Sequence, residues 1–287
     1  MRYLITGKNG QLARAFQREF DRRRADFLAP DESAFDITDR AAVLEAVGSY
    51  KPDVIINCAA YNLVDKAEED REKVFAVNAE GPGILAAAAG KNNAVLVHFG
   101  SDYVFDGAKE NGLYTEQDPL HPLNVYGESK REGERLVQEE TDKHLVFRLS
   151  WVFGEGKQNF IHKISEWSQN NAFLKIACDE FSVPTYTHTV VDVTMKALEQ
   201  GAFGLFHLTN SGYCSRYEWA HSILAGLGIT RFIRPVSMDS FNLPARRPKF
   251  SAMSNEQICR ALTISIPTWQ EAVASFLRER NVSHERG

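Results

Sequence analysis

The sequence predicts an α/β fold, a doubly wound parallel sheet with a smaller C-terminal lobe. The first observation behind this prediction is an apolar run at 2–6 that stops at a glycine turn and leads into a helical pattern. The second is the series of continuous apolar runs at 54–57, 95–99 and 145–149, separated by helical segments. Continuous rather than alternating apolar residues are typical of parallel strands that helices bury on both faces.

Composition narrows the class of protein. The 287 residues are enough for one large domain or two closely joined ones, and 44% hydrophobic with 25% charged residues is ordinary for a soluble globular chain. A net charge of −5 without a basic block argues against nucleic acid as a partner. No run approaches the roughly 20 apolar residues of a membrane span, and Met1 leads directly into a strand rather than a signal peptide.

The cysteines are scattered and show no metal-ligand spacing, so we expect no metal site. We interpret them as reduced thiols of a cytoplasmic protein. They are Cys58, Cys178, Cys214 and Cys259.

The first strand, turn and helix have the order that a dinucleotide pyrophosphate requires. Residues 2–6 form the strand, Gly7-x-x-Gly10 forms the turn, and apolar residues recur at helical spacing from Leu12 to Phe20. The glycines let backbone N–H groups approach the phosphates, and the helix N-terminus favours negative charge. Ala13 stands where a third glycine often occurs. An ordinary βα turn remains the alternative.

The second strand is expected at 26–29 and ends in a turn that carries Asp31. An acid at this tip binds the ribose hydroxyls of NAD and repels a 2′-phosphate, although Pro30 leaves the alignment of Asp31 open. Residues 36–39 are typical of a helix N-cap, with Asp36 near the adenine, before a helix at 40–50. The third strand, 54–57, leads into small residues at 57–61 that allow a cofactor to lie against its end.

Acidic residues at 65–70 predict a helix start, and an Ala-rich helix follows to residue 89. The fourth strand, 95–99, leads to Ser101 just past its end, where open α/β sheets bind ligands. Taken alone, Ser101 is equally a turn or capping serine.

Tyr126 and Lys130 are four residues apart in a predicted helix, so both side chains lie on one face. A tyrosine ordinarily loses its proton near pH ~10, and a nearby cation lowers that pKa. We therefore expect Lys130 to lower the pKa of Tyr126 and make it a proton donor or acceptor. By spacing alone, a solvated helix face is the commoner explanation.

The second half predicts a fifth strand at 145–149, with Trp151 just after it as a ligand contact or a core residue. His207, in a strand at 204–208, is interpreted as a packed histidine. Arg247 lies in a proline-stiffened loop, where solvated surface charge is the ordinary explanation. Helices are expected at 159–170, 188–198, 213–227 and 271–280.

Together these features resemble the extended short-chain dehydrogenase/reductase family, which has a glycine turn, a serine at a strand end, and a Tyr–Lys pair in this order. Within it, four further segments resemble the dTDP-4-dehydrorhamnose reductases. They are VDKAE at 64–68, SDYVFDG at 101–107, PLNVYG at 122–127 and RLSWV at 148–152.

The resemblance implies a Rossmann-type NAD(P)-binding domain at 1–153, to which 186–208 returns, and a mainly substrate-binding lobe at 154–287. It implies reduction of the C4 ketone of dTDP-4-dehydro-L-rhamnose, with Tyr126 as proton donor, Ser101 bonded to the same oxygen and Lys130 holding the nicotinamide ribose. Expected substrate contacts are Asp102, Tyr103, Trp151 and Arg247. Expected cofactor contacts are Gly7, Asn9, Gly10, Gln11, Leu12, Asp36, Ile37, Ala59, Ala60, Tyr61, Tyr126 and Lys130.

The family suggests NADPH, with NADH as the alternative that Asp31 and Glu32 favour. Some relatives bridge a dimer through a metal held partly by an acid in the first helix. Arg14 and Ala15 occupy that region here, so we expect a monomer or a metal-independent dimer. Where many relatives carry Thr, Ser101 retains the hydroxyl.

Two other functions remain open. A nucleotide-sugar epimerase uses the same Tyr–Lys pair but retains its NAD through both half-reactions. The regulatory subunit of methionine adenosyltransferase resembles these reductases yet serves as a binding partner; it lacks the tryptophan that Trp151 supplies here.

Overall fold

A six-stranded parallel sheet forms the centre of the protein in the computed structural model, which describes residues 1–284 and their side chains up to residue 280. The strands, in chain order, are β1 Arg2–Thr6, β2 Asp26–Leu28, β3 Val54–Asn57, β4 Val95–Ser101, β5 His144–Leu149, β6 Val152–Phe153, β7 Phe173–Ala177, β8 Phe181–Ser182, β9 Thr185–Tyr186, β10 Gly204–His207, β11 Cys214–Ser215 and β12 Phe232–Val236.

Helices cover both faces of this sheet and build the second lobe. They are α1 Gln11–Arg23, α2 Arg40–Tyr50, α3 Arg71–Phe75, α4 Gly81–Lys91, α5 Val125–Glu140, α6 Phe160–Asn170, α7 Thr187–Gln200, α8 Arg216–Gly226, α9 Glu256–Leu262 and α10 Trp269–His284.

The strand order of the main sheet is β10-β5-β4-β3-β1-β2, with every neighbouring pair parallel. The chain moves from β1 outward to β2 and then returns past β1 to β3, so the order reverses there. In open α/β sheets such a reversal leaves a crevice at the carboxyl ends of the strands, where ligands bind. The predicted doubly wound parallel sheet is confirmed.

Burial explains why these segments form strands and helices. All four residues of β3 are buried, as expected for a central strand covered on both faces. Along α1 the side chains of Ala13, Phe16 and Phe20 are buried at helical spacing. Tyr3 stacks on Phe20 with ring centroids 4.2 Å apart, which fixes α1 against the sheet.

A separate hydrophobic cluster lies in the second lobe, around Phe153, Leu174, Trp219 and Phe276. Two later elements return to the first lobe instead. Strand β10 pairs with β5 in the main sheet, and α7 buries its valines in the same hydrophobic cluster as α1. Residues of α9, among them Ile258, also join that cluster. We retain the division into 1–153 with 186–208 and 154–287 as a proposal.

Several predicted boundaries differ from the structure. The helix expected at 213–227 begins only at Arg216, because Cys214–Ser215 pairs with β8 and Ser215 caps α8 together with Glu218. The helix expected from Asp65 is only a 3₁₀ turn, Lys66–Glu68. The Asp65 carboxylate caps nothing there, because it binds Arg247 across the molecule.

No helix among residues 1–284 is long and apolar enough to cross a membrane. Among the side chains of residues 1–280, no group of three His, Cys, Asp or Glu residues is arranged to hold a metal ion.

Candidate active site

The glycine turn lies at the reversal of the strand order. Gly7 adopts φ +67°, and a Cβ there would lie 2.7 Å from the backbone of Cys58 and Ala59, so only glycine fits. The Gly10 N–H donates to the Gly7 carbonyl at 2.8 Å, and Gly10 then begins α1 without a side-chain cap. The first N–H groups of α1 are thereby left for an anion.

Gln11 supports the same interpretation. Its amide nitrogen donates to the Val152 carbonyl at 3.1 Å. Its Oε1 is buried and has no hydrogen-bond partner among the described residues. A buried polar atom without a partner is costly in a finished structure and indicates a ligand that completes the site. The turn and the uncapped helix fit a dinucleotide pyrophosphate, and Gln11 Oε1, an acceptor, fits a hydroxyl or N–H donor elsewhere on the same ligand.

The remaining predicted cofactor residues follow β1, β2 and β3 or begin α1. Ala59, Ala60 and Tyr61 follow β3 and are partly buried; Ala59 donates its N–H to Thr6 Oγ1 at 3.3 Å. The Asp36 carboxylate is exposed and accepts from the Thr38 N–H at 2.9 Å, whereas Ile37 is buried. Leu12 is partly buried and Asn9 exposed.

Asp31 lies beside the turn but is not a free carboxylate. Lys8 Nζ donates to it at 3.2 Å and Asn9 Nδ2 at 3.3 Å. A cation paired with Asp31 offsets the negative charge that would repel a 2′-phosphate. The preference for NADH that the sequence suggests at this position is therefore weakened.

The catalytic residues predicted from sequence meet at the carboxyl end of β4. Ser101 is its last residue and is buried, and Tyr126 lies in the first turn of α5. Ser101 hydrogen-bonds the Tyr126 hydroxyl, and the Tyr103 ring packs edge-on against the Tyr126 ring, 5.7 Å between centroids. Four residues further along α5, Lys130 is 3% exposed, and its Nζ donates to the Phe99 carbonyl at 2.6 Å.

The expected effect of Lys130 on Tyr126 is not found. Burial raises the pKa of Tyr126 to about 12, opposed by the hydrogen bond from Ser101 and assisted by the charge of Asp102. Burial also lowers the pKa of Lys130 to about 8, opposed by Glu134. With its ammonium held at Phe99, Lys130 does not lower the Tyr126 pKa, and desolvation dominates.

Asp102 follows Ser101 and is 3% exposed. Its carboxylate accepts the hydroxyls of Ser251 at 2.6 Å, Ser182 at 2.9 Å and Ser101 at 3.3 Å. Burial raises the Asp102 pKa to about 6 against these three bonds. Asp102 thus joins the distant segments of Ser182 and Ser251 to the end of β4, and its burial makes it a support of the site rather than an open substrate contact.

Trp151 lies at the entrance of a cleft of about 460 Å³ between α6, β7 and α8. The Trp151 backbone adopts φ +39°, which is strained for a tryptophan. Arg216 covers one face of the indole, with the guanidinium carbon 3.6 Å from the ring centroid, and Glu180 binds Arg216 through two N–H groups at 3.1 and 3.2 Å. Trp151 therefore has at most one face for a ligand.

Arg247 lines the same cleft, and Asp65 and the Ala245 carbonyl fix its guanidinium group. Nη1 and Nη2 donate to the two oxygens of Asp65 at 3.0 and 2.7 Å, and Nη1 also donates to the Ala245 carbonyl at 2.9 Å. Nε and one N–H of Nη2 remain to bind a phosphate.

His207 is fully buried, with Nε2 3.4 Å from Arg148 Nη1, as the packed histidine predicted.

Sequence reasoning missed Arg216 and Glu180. Their 36-residue separation produces no local pattern, and Arg216 was interpreted only as part of a helix. The Ser–Arg step before the acidic Glu218 indicates a capped helix start, but nothing in it places Arg216 over Trp151.

Comparison with known proteins agrees with this geometry. The family model described as the RmlD substrate binding domain matches residues 1–282. The dTDP-4-dehydrorhamnose reductase of Aggregatibacter actinomycetemcomitans is 35% identical over 288 residues, covering 96% of this chain and 98% of that protein.

Two crystal structures are similar over nearly the whole chain. A dTDP-4-dehydrorhamnose reductase from Clostridium acetobutylicum has a TM-score of 0.94 and 34% identity, covering 98% of this chain and 100% of that one. The dTDP-4-dehydrorhamnose reductase of Bacillus anthracis, in complex with NADP, has a TM-score of 0.93 and 33% identity, covering 97% and 99%.

Proposed function

The chain belongs to the family described as the RmlD substrate binding domain, and we propose that it is an NADPH-dependent dTDP-4-dehydrorhamnose reductase. It reduces the C4 ketone of dTDP-4-dehydro-L-rhamnose to the alcohol of dTDP-L-rhamnose, a precursor of cell-surface polysaccharide. The observation that carries this conclusion is the near-complete match to reductases of that name, one of them with NADP bound.

NADPH supplies the hydride. The residues that would hold it are those of the crevice: the glycine turn and the N-terminus of α1 for the pyrophosphate, Gln11 through its unpartnered Oε1, and Lys130 for the nicotinamide ribose. Because Asp31 is paired with Lys8, its negative charge is partly offset and repels a 2′-phosphate less strongly. These assignments follow from the fit of the residues to the group.

Tyr126 donates the proton in this proposal. A pKa of about 12 keeps the phenol protonated at neutral pH, so it is loaded to transfer its proton to the C4 oxygen as negative charge develops there. Ser101, which is hydrogen-bonded to the Tyr126 hydroxyl, stabilises the negative charge on the C4 oxygen by a hydrogen bond. Carbon receives the hydride, oxygen receives the proton, and the phenolate recovers a proton from solvent.

Lys130 has a positioning role. A pKa of about 8 leaves it mostly protonated at neutral pH, so that its ammonium can donate hydrogen bonds to the nicotinamide ribose. Its bond to Phe99 O fixes the ammonium at the carboxyl end of β4.

We propose a cytoplasmic location and a monomer or metal-independent dimer. All four cysteines are free, which suits a reducing compartment. The Ala15 side chain is 3% exposed within the main hydrophobic cluster, and the Arg14 guanidinium is bound to the Asn9 carbonyl. Neither residue offers a metal ligand.

The test is turnover of dTDP-4-dehydro-L-rhamnose with NADPH and with NADH, followed separately. We expect one NADPH oxidised for each dTDP-L-rhamnose formed, at a higher kcat/KM than with NADH. Conversion without net oxidation, with NAD surviving purification, would instead identify an epimerase. Tight binding without any conversion would identify a non-catalytic partner.

A further inference from the structure

A row of aromatic side chains leads away from Trp151 along one wall of the 460 Å³ cleft. Trp151 stacks on Trp219 with ring centroids 5.5 Å apart. Trp219 contacts Phe160 at a tilt, 4.9 Å between centroids, and Phe160 meets Trp167 edge to face at 6.2 Å. At the end of this row Trp167 is 41% exposed, and Phe241, which lines both this cleft and an adjacent cavity together with Trp167, is 39% exposed. Two exposed aromatic rings at one end of a cleft suit a planar heterocycle.

The charges in this cleft differ in how they are compensated. Arg216 is paired with Glu180, and Arg247 with Asp65. Lys163 on α6 and Lys175 on β7 are exposed and form no ion pair with any described side chain. Two uncompensated cations match the two negative charges of a nucleoside diphosphate ester.

A neighbouring groove of about 530 Å³ shares Arg247 and is the other route that a nucleotide could take from the catalytic residues. Among the described residues its lining contains no aromatic side chain and includes Asp106 and Asp239. Its lysine, Lys249, is already within 3.3 Å of Asp239 and 3.5 Å of Asp179. This groove therefore suits a pyrimidine diphosphate poorly.

We propose that the nucleoside diphosphate half of the substrate lies along the aromatic row. Its pyrimidine base packs against Trp167 and Phe241, and its diphosphate lies between the paired arginines and Lys163 with Lys175. The inference rests on the proposed function for the identity of the ligand and assigns the residues that recognise its far end.

Calorimetric titration with dTDP and with inorganic pyrophosphate tests the assignment. Trp167→Ala should weaken dTDP about tenfold, as loss of one base–aromatic stack does, and leave pyrophosphate unchanged. The double variant Lys163→Met with Lys175→Met should weaken both ligands about fivefold and reduce their salt dependence. Matched controls are Phe232→Ala, a 68% exposed phenylalanine outside the cleft, and Lys91→Met on α4; both should bind as wild type.

Turnover separates failure of this inference from failure of the proposed function. Trp167→Ala should raise the KM for the sugar nucleotide and retain kcat at saturation. Wild-type turnover combined with unchanged dTDP affinity in Trp167→Ala would overturn the inference and leave the function intact. So would a loss of dTDP affinity in Arg246→Ala or Lys249→Met that exceeds the loss in Trp167→Ala. If the wild type binds dTDP through Trp167 but oxidises no NADPH with the ketone, only the proposed function fails.

Discussion

The proposed catalytic corner, formed by Ser101, Asp102, Tyr126 and Lys130, and the 460 Å³ cleft both contain lysine, but in opposite environments. In the catalytic corner, Tyr126, Lys130 and Asp102 are surrounded by protein, and desolvation shifts the pKa of each toward its neutral form. In the cleft, Lys163 and Lys175 are open to water. Proton transfer benefits from groups whose charge is disfavoured, whereas anion binding benefits from groups that remain charged.

The arginines of the cleft lie between these extremes. Arg216 and Arg247 are each bound by a carboxylate through two N–H groups, which fixes the guanidinium plane at the cost of part of the charge. We expect these arginines to orient the bound anion and the exposed lysines to supply most of the positive charge.

The largest effect is expected from a change in the cofactor crevice, because without NADPH neither the catalytic corner nor the cleft can support turnover. Gly10→Val should abolish NADPH binding, because the side chain fills the approach to the α1 N-terminus. Gly10 has φ −70°, and an added Cβ would lie 3.2 Å from the Gly7 carbonyl, so the fold should survive. Calorimetry with NADPH measures the loss. Gly48→Val, where a Cβ meets nothing within 4 Å, is the control; wild-type affinity in Gly10→Val would make the turn merely structural.

Within the catalytic corner, Tyr126→Phe should lower turnover by roughly 10²–10⁴, the usual contribution of a positioned acid. NADPH affinity should remain near that of the wild type. The measurement is NADPH oxidation with the sugar nucleotide in a variant whose circular dichroism is unchanged. Full turnover in such a protein would remove Tyr126 from the mechanism.

Asp102 should make the stability contributed by the catalytic corner depend on pH. Its pKa rises from 3.8 to about 6 on folding, so the native state binds its proton more tightly than the unfolded state. The stability contributed by this protonation is complete below pH 4 and is lost as pH rises through 6. Relative to wild type, Asp102→Asn should therefore gain about 2 kcal/mol in free energy of unfolding between pH 4 and pH 7.

Urea unfolding at both pH values measures this change, with the exposed Asp142→Asn as control. A constant difference between Asp102→Asn and wild type would mean that Asp102 stays ionised across the range.

Within the cleft, Arg247→Ala should weaken dTDP, since a hydrogen bond to a charged group contributes about 1.5–3 kcal/mol. Trp151→Ala should leave dTDP affinity unchanged and weaken only the complete sugar nucleotide, because we expect the part of the indole that Arg216 and Trp219 leave uncovered to contact the sugar. Titrating both ligands against both variants separates the two roles. Unchanged dTDP affinity in Arg247→Ala would transfer the role to Arg246.

The smallest expected effect is on association, which concerns neither region. Light scattering should give the same mass with Mg²⁺ and with a chelator, because Ala15 is buried and cannot bind a cation. A dimer that dissociates on chelation would contradict the prediction and require a metal site built from other residues.

The sequence alone determined what depends on neighbours along the chain. The predicted bounds of α2 and β3 match the structure residue for residue, because periodic burial and an Asp39 cap are local signals. The glycine turn and the four-residue spacing of Tyr126 and Lys130 are equally local. Their roles as a site still remain a proposal.

Only the tertiary structure decided the contacts that tune and orient these residues. Asp102 meets Ser251 across 149 residues, and Asp65 meets Arg247 across 182. The structure also decided that burial, rather than Lys130, sets the pKa of Tyr126. A pattern of residues specifies which face of an element is buried, but the depth of burial and the partner of a charge depend on segments that the fold alone brings together.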